Sequence, residues 1–253
     1  MYFDTHAHYD DRRFDEDRDA VLAEMQSAGV SLILNASSGM QSAKLSLEMA
    51  DKHPFLYAAI GVHPHDSKEM TDGSLAALEK LLQHPKAKAV GEIGLDYHYD
   101  FSPRDIQKKR FREQMELARS LNKPVVVHER EALQDTLAII REYSDLSGVL
   151  HCFSGSWETA KIILDIGWHL SFTGVITFKN ARKSLEAVEK MPQDKIMIET
   201  DCPYLAPEPM RGKRNSSLYL KYICEKVAQI RGISPEEAAA LTMENGKRFF
   251  GIE

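Results

Sequence analysis

The sequence predicts an α/β protein of the TIM (β/α)8 barrel class, and three observations carry that expectation. Eight short apolar or β-branched runs alternate with longer amphipathic segments along the whole chain. The chemically distinctive residues cluster where those runs end, as they do at the C-terminal mouth of a parallel barrel. The 253 residues suit one such barrel, and no low-complexity linker or charge block marks a boundary, so a single domain over 1–253 is expected.

The strand candidates are 2–4, 31–35, 56–60, 87–91, 124–127, 148–150, 169–172 and 195–198. Helical periodicity falls between them, at 17–28, 43–52, 75–82, 103–121, 132–143, 159–166 and 183–190. Two further helices, 218–231 and 235–249, follow the last strand, and Ser234 before Pro235, with Glu237 beyond, reads as a capped helix start. Pro103 suits a first helical turn and Gly29 a helix exit. A doubly wound open sheet is the competing fold. It would carry a glycine-rich phosphate loop after its first strand, and no GxGxxG or GxxxxGK[ST] pattern occurs.

Composition narrows the function. A net charge of −6 excludes a broad basic surface that coats duplex nucleic acid, while a local basic site remains open. Three cysteines without paired spacing suggest reduced thiols, and neither a signal-like N-terminus nor a long apolar run is seen, so a cytoplasmic protein without a membrane segment is expected.

His6 and His8 stand two residues apart on the first strand and so project to one side, a ready pair of imidazole ligands. At later strand ends stand Glu92, His128, His151 and Asp201. Each has an ordinary alternative: Glu92 could pair with Arg130, His128 and His151 could be hydrogen-bonded core histidines, and Asp201 could be a turn residue. Six such groups at five strand ends are better explained by one shared site. Four imidazoles and two carboxylates exceed what one four-coordinate structural ion uses, so two divalent ions bridged by Glu92 are expected, leaving a net positive site suited to an anionic ester. Asp201 and Glu92 are the expected catalytic carboxylates, and magnesium, manganese, zinc and iron all suit the donors.

Substrate contacts are expected from His63, in the run Gly61-Val62-His63-Pro64-His65, and from Arg130, Arg211 and Arg214, whose guanidinium groups match phosphate oxygens. Arg211, Lys213 and Arg214 share the basic loop 206–217, with Lys221 beyond it. Tyr97, Phe153, Trp157 and Tyr204 lie beside the ligands and could stack on bases. Cys152, Cys202 and Cys224 are assigned to packing, and His53, His84 and His169 to structural positions.

These motifs together resemble the TatD-type metal-dependent deoxyribonucleases of the amidohydrolase superfamily. The carriers are Phe3-Asp4-Thr5-His6-Ala7-His8, the His63 run, Gly91-Glu92-Ile93-Gly94-Leu95-Asp96-Tyr97, Pro124-Val125-Val126-Val127-His128, His151-Cys152-Phe153-Ser154-Gly155, Glu199-Thr200-Asp201-Cys202-Pro203-Tyr204-Leu205 and Arg211-Gly212-Lys213-Arg214-Asn215. The resemblance implies one metal on His6, His8, Glu92 and Asp201, a second on Glu92, His128 and His151, and 3′ to 5′ cleavage of nucleic acid. The chain departs from the family pattern at Asn215-Ser216-Ser217, where Asn-Glu-Pro is usual, and at Glu131, where Asp is typical.

The expected reaction is hydrolysis of a DNA phosphodiester at single-stranded ends, with no obligate protein partner. The same ions could instead serve a small ester, lactone, amide or aminoacyl ester such as D-aminoacyl-tRNA, since fold and metals do not fix the substrate. A non-catalytic binding scaffold is a third reading, and the six-ligand set argues against it.

Overall fold

The computed structural model describes residues 1–253. Eight parallel strands form one sheet in sequence order: β1 (Tyr2–Ala7), β2 (Val30–Ala36), β3 (Leu56–Ile60), β4 (Ala87–Asp96), β5 (Val125–Arg130), β6 (Gly148–Leu150), β7 (His169–Phe172) and β8 (Ile196–Ile198). The alternating helices are α1 (Arg18–Glu24), α2 (Met40–Lys52), α3 (Asp72–Leu82), α4 (Arg104–Ser120), α5 (Leu133–Glu142), α6 (Trp157–Asp165) and α7 (Arg182–Lys190), followed by α8 (Leu220–Arg231) and α9 (Pro235–Phe250). This is the (β/α)8 barrel class. No helix is long and apolar enough to cross a membrane.

The chain divides into two compact units, Met1–Asn35 with Cys152–Glu253, and Ala36–His151. In the first unit, β1 pairs with β2 (Phe3 opposite Leu32) and β7 with β8 (Leu170 opposite Ile196). The first and last strands of the sheet meet here: the Thr5 hydroxyl donates to Ile198 O at 3.0 Å. Beyond β8, Asp201 N donates to His6 O and His8 N to Cys202 O, at 2.9 and 2.8 Å. α9 covers β1 closely. A Cβ on Gly246 would lie 2.6 Å from Phe3 Cδ1, so only glycine lets the helix approach that ring. The helix opens on a full capping box between Ser234 and Glu237.

In the second unit, β4 pairs with β3 and β5, and β5 with β6. The valines of β5 are fully buried, as expected of parallel strands covered on both faces. α4 turns Gln107, Phe111, Gln114, Met115 and Ala118 inward, the spacing of one helical face. The two buried amides do positional work. Gln107 accepts from Asp96 N at 2.9 Å and donates to Asp96 O at 3.1 Å. Gln114 accepts from Val62 N and donates to Val62 O, at 2.8 and 3.1 Å. Each clamps the backbone where a strand hands over to a loop, so the side chains projecting there are fixed.

Four strands run further than their apolar patterns suggest, β2 by one residue at each end. β1 continues to Ala7, β4 to Asp96 and β5 to Arg130, so His6, Glu92 and His128 lie within strands rather than past them. Extended backbone tolerates these polar residues because their side chains meet partners. Conversely α1 ends at Glu24, short of 28, and the chain turns into β2 through Gly29 at φ +85°. Pro103 is the cap before α4 rather than its first residue.

His169 opens β7, with its ring 4.8 Å from Phe249 and its Nδ1 buried without a hydrogen-bond partner. Burial, and then Lys195 and Arg248, push its pKa down to about 4. The unfolded chain takes up this proton near the ordinary value and the folded one resists it, so stability falls as pH drops from about 6.5 toward about 4. The loss attributable to His169 is at most about 3 kcal/mol, and less because the ring is partly exposed. His169→Phe keeps the ring contact, and its urea-unfolding free energy is expected to vary less across that window than wild type's. Identical slopes would contradict the assignment.

Candidate functional site

Each unit gathers part of the predicted ligand set. In the unit Ala36–His151, Glu92 is 2% exposed and one carboxylate oxygen, Oε1, faces three imidazoles. His151 Nε2 lies at 2.9 Å, His128 Nδ1 at 3.0 Å and His63 Nε2 at 3.4 Å. Glu92 N donates to Ser37 O at 3.0 Å, while the Ser37 hydroxyl bridges Gly61 O and Gly61 N, each at 2.9 Å. His63 follows the clamped Val62, and its Nδ1 accepts from His65 N at 3.2 Å, which orients the ring.

Asp96 supports this cluster. It is 1% exposed, and its Oδ2 faces His128 Nε2 and His65 Nε2, both at 3.0 Å. Its other oxygen accepts from His98 N and Tyr99 N, at 3.0 and 2.9 Å. A carboxylate on the far nitrogen of an imidazole fixes its orientation and makes it a stronger ligand. Burial raises the Asp96 carboxyl, but the bonds from His128 and His65 and from the backbone outweigh it, and the group stays ionised well below the usual carboxylate range.

His128 and His63 respond in opposite directions to similar burial. Burial lowers both, but Asp96 and Glu92 together lift His128 above its ordinary value, whereas Glu92 alone does not rescue His63, which falls to about 4. His63 is therefore a neutral imidazole at neutral pH.

In the other unit, His6 Nε2 and His8 Nε2 face each other at 3.0 Å. Asp201 Oδ1 lies 3.2 Å from His8 Nε2 and 3.7 Å from His6 Nε2. Asp201 has φ +54°, a left-handed conformation that non-glycine residues seldom adopt, and its N–H on His6 O holds it there. Asp4, two residues before His6 on β1, is fully buried. It accepts from Thr200 N at 2.8 Å, from the Thr200 hydroxyl and from Ser217 Oγ at 2.6 Å. Burial raises its pKa to about 7 against those bonds. Glu199, 1% exposed, accepts from Cys152 N at 2.7 Å and from the Ser171 hydroxyl.

The donors suit divalent ions. Nitrogens held about 2.0–2.1 Å from a zinc-like ion sit about 2.9–3.4 Å apart around it. The His6–His8 and His128–His151 separations of 3.0 and 3.3 Å lie in that span. One ligand atom from each of His63, Glu92 and His128 falls within 4.8 Å of the others. Buried imidazoles converging on carboxylate oxygens are the chemistry of such a site rather than of a packed core.

The basic residues are differently placed. Arg214 is committed to Asp17 through two bonds of 2.8 and 2.6 Å and lies 4.6 Å over the Phe14 ring. Arg211 lies over Phe178 and Arg130 over Tyr99, at 4.5 and 4.7 Å. Tyr97 donates to Asp135 at 2.6 Å under the Arg104 guanidinium, and Tyr204 donates to Asp11 at 2.9 Å under Arg13. Phe153 is buried. Cys202 and Cys224 are buried, and Cys152 Sγ lies 3.5 Å from the Thr173 hydroxyl. The departures in the sequence pattern serve the framework: Ser217 holds Asp4, Asn215 donates to Thr200 O and Tyr204 O, and Glu131 meets His98 at 2.7 Å.

A family model described as TatD related DNase matches residues 3–251. The chain belongs to the TatD family. It is 43% identical, over the full length of both chains, to an uncharacterized metal-dependent hydrolase of Bacillus subtilis. It is 34% identical, over 99% of both chains, to a Salmonella typhimurium protein named 3′-5′ ssDNA/RNA exonuclease TatD. The crystal structure of a TatD homologue from Escherichia coli covers 100% of this chain and 98% of its own, with a TM-score of 0.93 and 28% identity. This TatD-family chain is thus a metal-dependent hydrolase with nearly end-to-end relatives.

Proposed function

We propose that this TatD-family hydrolase cleaves phosphodiester bonds at single-stranded DNA ends in the cytoplasm, from 3′ to 5′, with two divalent ions held by the predicted ligands. The observation that carries this is the convergence of His63, His128 and His151 on one Glu92 oxygen. The name of the Salmonella relative supports the substrate class. Divalent ions held there supply Lewis acidity toward a phosphoryl oxygen and lower the pKa of water. Asp201 Oδ1, turned toward His8, orients the attacking water and takes its proton. His63, neutral at working pH, adds a ligand or a hydrogen bond without adding charge. Arg130 and Arg211 offer guanidinium forks to phosphate. Arg214 reaches substrate only by giving up Asp17. A net charge of −6 suits short single-stranded ends over long duplex.

The test supplies magnesium, manganese, zinc or iron in turn to purified protein and follows 5′-labelled single-stranded DNA. A ladder shortening from the 3′ end is expected, and Asp201→Asn should slow it by about 10²–10⁴-fold. No cleavage of DNA with any metal, beside turnover of an aminoacyl-tRNA or lactone, would replace the nuclease reading with the small-ester one.

A further inference from the structure

Two aromatic rings beside the Glu92 cluster are left exposed. Tyr99 is 46% and Phe101 55% exposed, although burying an aromatic ring is among the more favourable uses of apolar surface. They stack on each other, with centroids 5.2 Å apart and planes inclined by 26°. The Arg130 guanidinium lies over Tyr99, giving a column of cation, ring and ring.

The column is held rigidly. Tyr99 N is tied to Asp96 Oδ1 at 2.9 Å, Phe101 O accepts from Lys68 Nζ at 2.7 Å, and Ser102 Oγ donates to His65 O at 2.7 Å. The His65 ring stands edge-on to both aromatics, 5.3 and 4.9 Å from their centroids. Asp96 thus anchors the turn that carries the column and orients His128 of the metal-ligand cluster. Exposed aromatics fixed in this way lose little entropy when a flat ligand joins them, and a nearby cation suits a flat ligand that carries phosphate.

We propose that the Arg130–Tyr99–Phe101 column is a nucleobase-stacking platform that takes a base at the end of a single strand, with Phe101, its more exposed member, receiving the base and Arg130 backing Tyr99 from behind. This rests on the nuclease reading above and adds to it the residues that grip the substrate. Stacking reads the π-face that every base offers, so the platform tolerates sequence but requires a base. It also gives the active end a handle other than charge, which an acidic protein needs.

The experiment measures binding of a single-stranded oligonucleotide whose terminal linkage resists hydrolysis, in two forms: a natural 3′-terminal nucleotide and an abasic one. Wild type should prefer the natural end. Phe101→Ala should weaken the natural end by about 5- to 50-fold, raise KM with little change in kcat, and leave the abasic end unchanged, while Phe101→Trp should retain binding. Tyr99→Ala should act like Phe101→Ala. Equal weakening of both forms, or none of either, would overturn the platform while leaving DNA cleavage by wild type intact. Wild type that neither binds nor cuts DNA would remove the nuclease reading and the platform with it.

Discussion

Replacing Glu92 by Gln is expected to slow hydrolysis by about 10³-fold or more and to strip bound divalent metal. Loss of one transition-state charge interaction worth about 4 kcal/mol accounts for a rate change of that size. Gln keeps the shape of the side chain, so any effect comes from charge and proton placement. In the wild type one carboxylate oxygen faces three imidazole nitrogens at 2.9–3.4 Å. An amide puts either a weaker acceptor or two N–H donors against them, and neither draws a dication into the cluster. Metal content resolves the role further. If the protein binds two ions, as proposed, and Glu92 is shared by both, as the family resemblance implies, Glu92→Gln loses both; if Glu92 serves one ion alone, about half of the metal remains. Elemental analysis of protein freed of loose metal, together with the rate on single-stranded DNA, checks this. Wild-type metal content with a rate within tenfold of wild type would sink the assignment.

The barrel class was legible because parallel strands buried on both faces read as short apolar runs, and those at 56–60, 148–150 and 169–172 match β3, β6 and β7 to the residue. Glu92 and the histidines stood out for the same reason, as polar groups ending apolar runs. The supports did not stand out. Asp4 could have been found by the alternation that paired His6 with His8 in the sequence, since it precedes them by two and four residues. Asp96 and Glu199 lie inside motifs that carry the family resemblance, but their roles depend on which strands neighbour them: Asp96 meets His128 through the β4–β5 pairing, and Glu199 meets Ser171 next to β8. Gln107 and Gln114 looked like ordinary polar positions of a helix whose exposed face is rich in charge. Only docking against the sheet turns them inward. The same holds for Arg214, whose partner Asp17 is 197 residues away in sequence, and for the base-stacking candidates. Tyr97 and Tyr204 lie close to the ligands in sequence, yet both are occupied by carboxylates and arginines, while the column is built from Tyr99 and Phe101.

Gly94→Ala is expected to destabilise the fold by more than about 4 kcal/mol, a range reached only when a defect cannot relax. Gly94 sits opposite His128 in the β4–β5 pairing, close after the register shift between Val90 and Ile93. A Cβ there would lie 2.0 Å from His128 O and about as near as 3.0 Å to its N, and φ is +140°. Every atom it strikes is backbone, so no rotamer change relieves the clash; the strands must part, and His128 moves with them. Gly167→Ala isolates the conformational part of the cost. Its φ is +85° and nothing lies within 4 Å of the added carbon, so about 1–2 kcal/mol is expected from the left-handed backbone alone. Urea unfolding of the two variants should therefore differ by several-fold in free energy lost. Should Gly94→Ala be too unstable to titrate, a stabilising osmolyte keeps enough of it folded for metal analysis, which should find less bound metal than in wild type. A folded Gly94→Ala protein with full metal content would mean that His128 does not depend on the close approach of β4, and that the glycine is there for another reason.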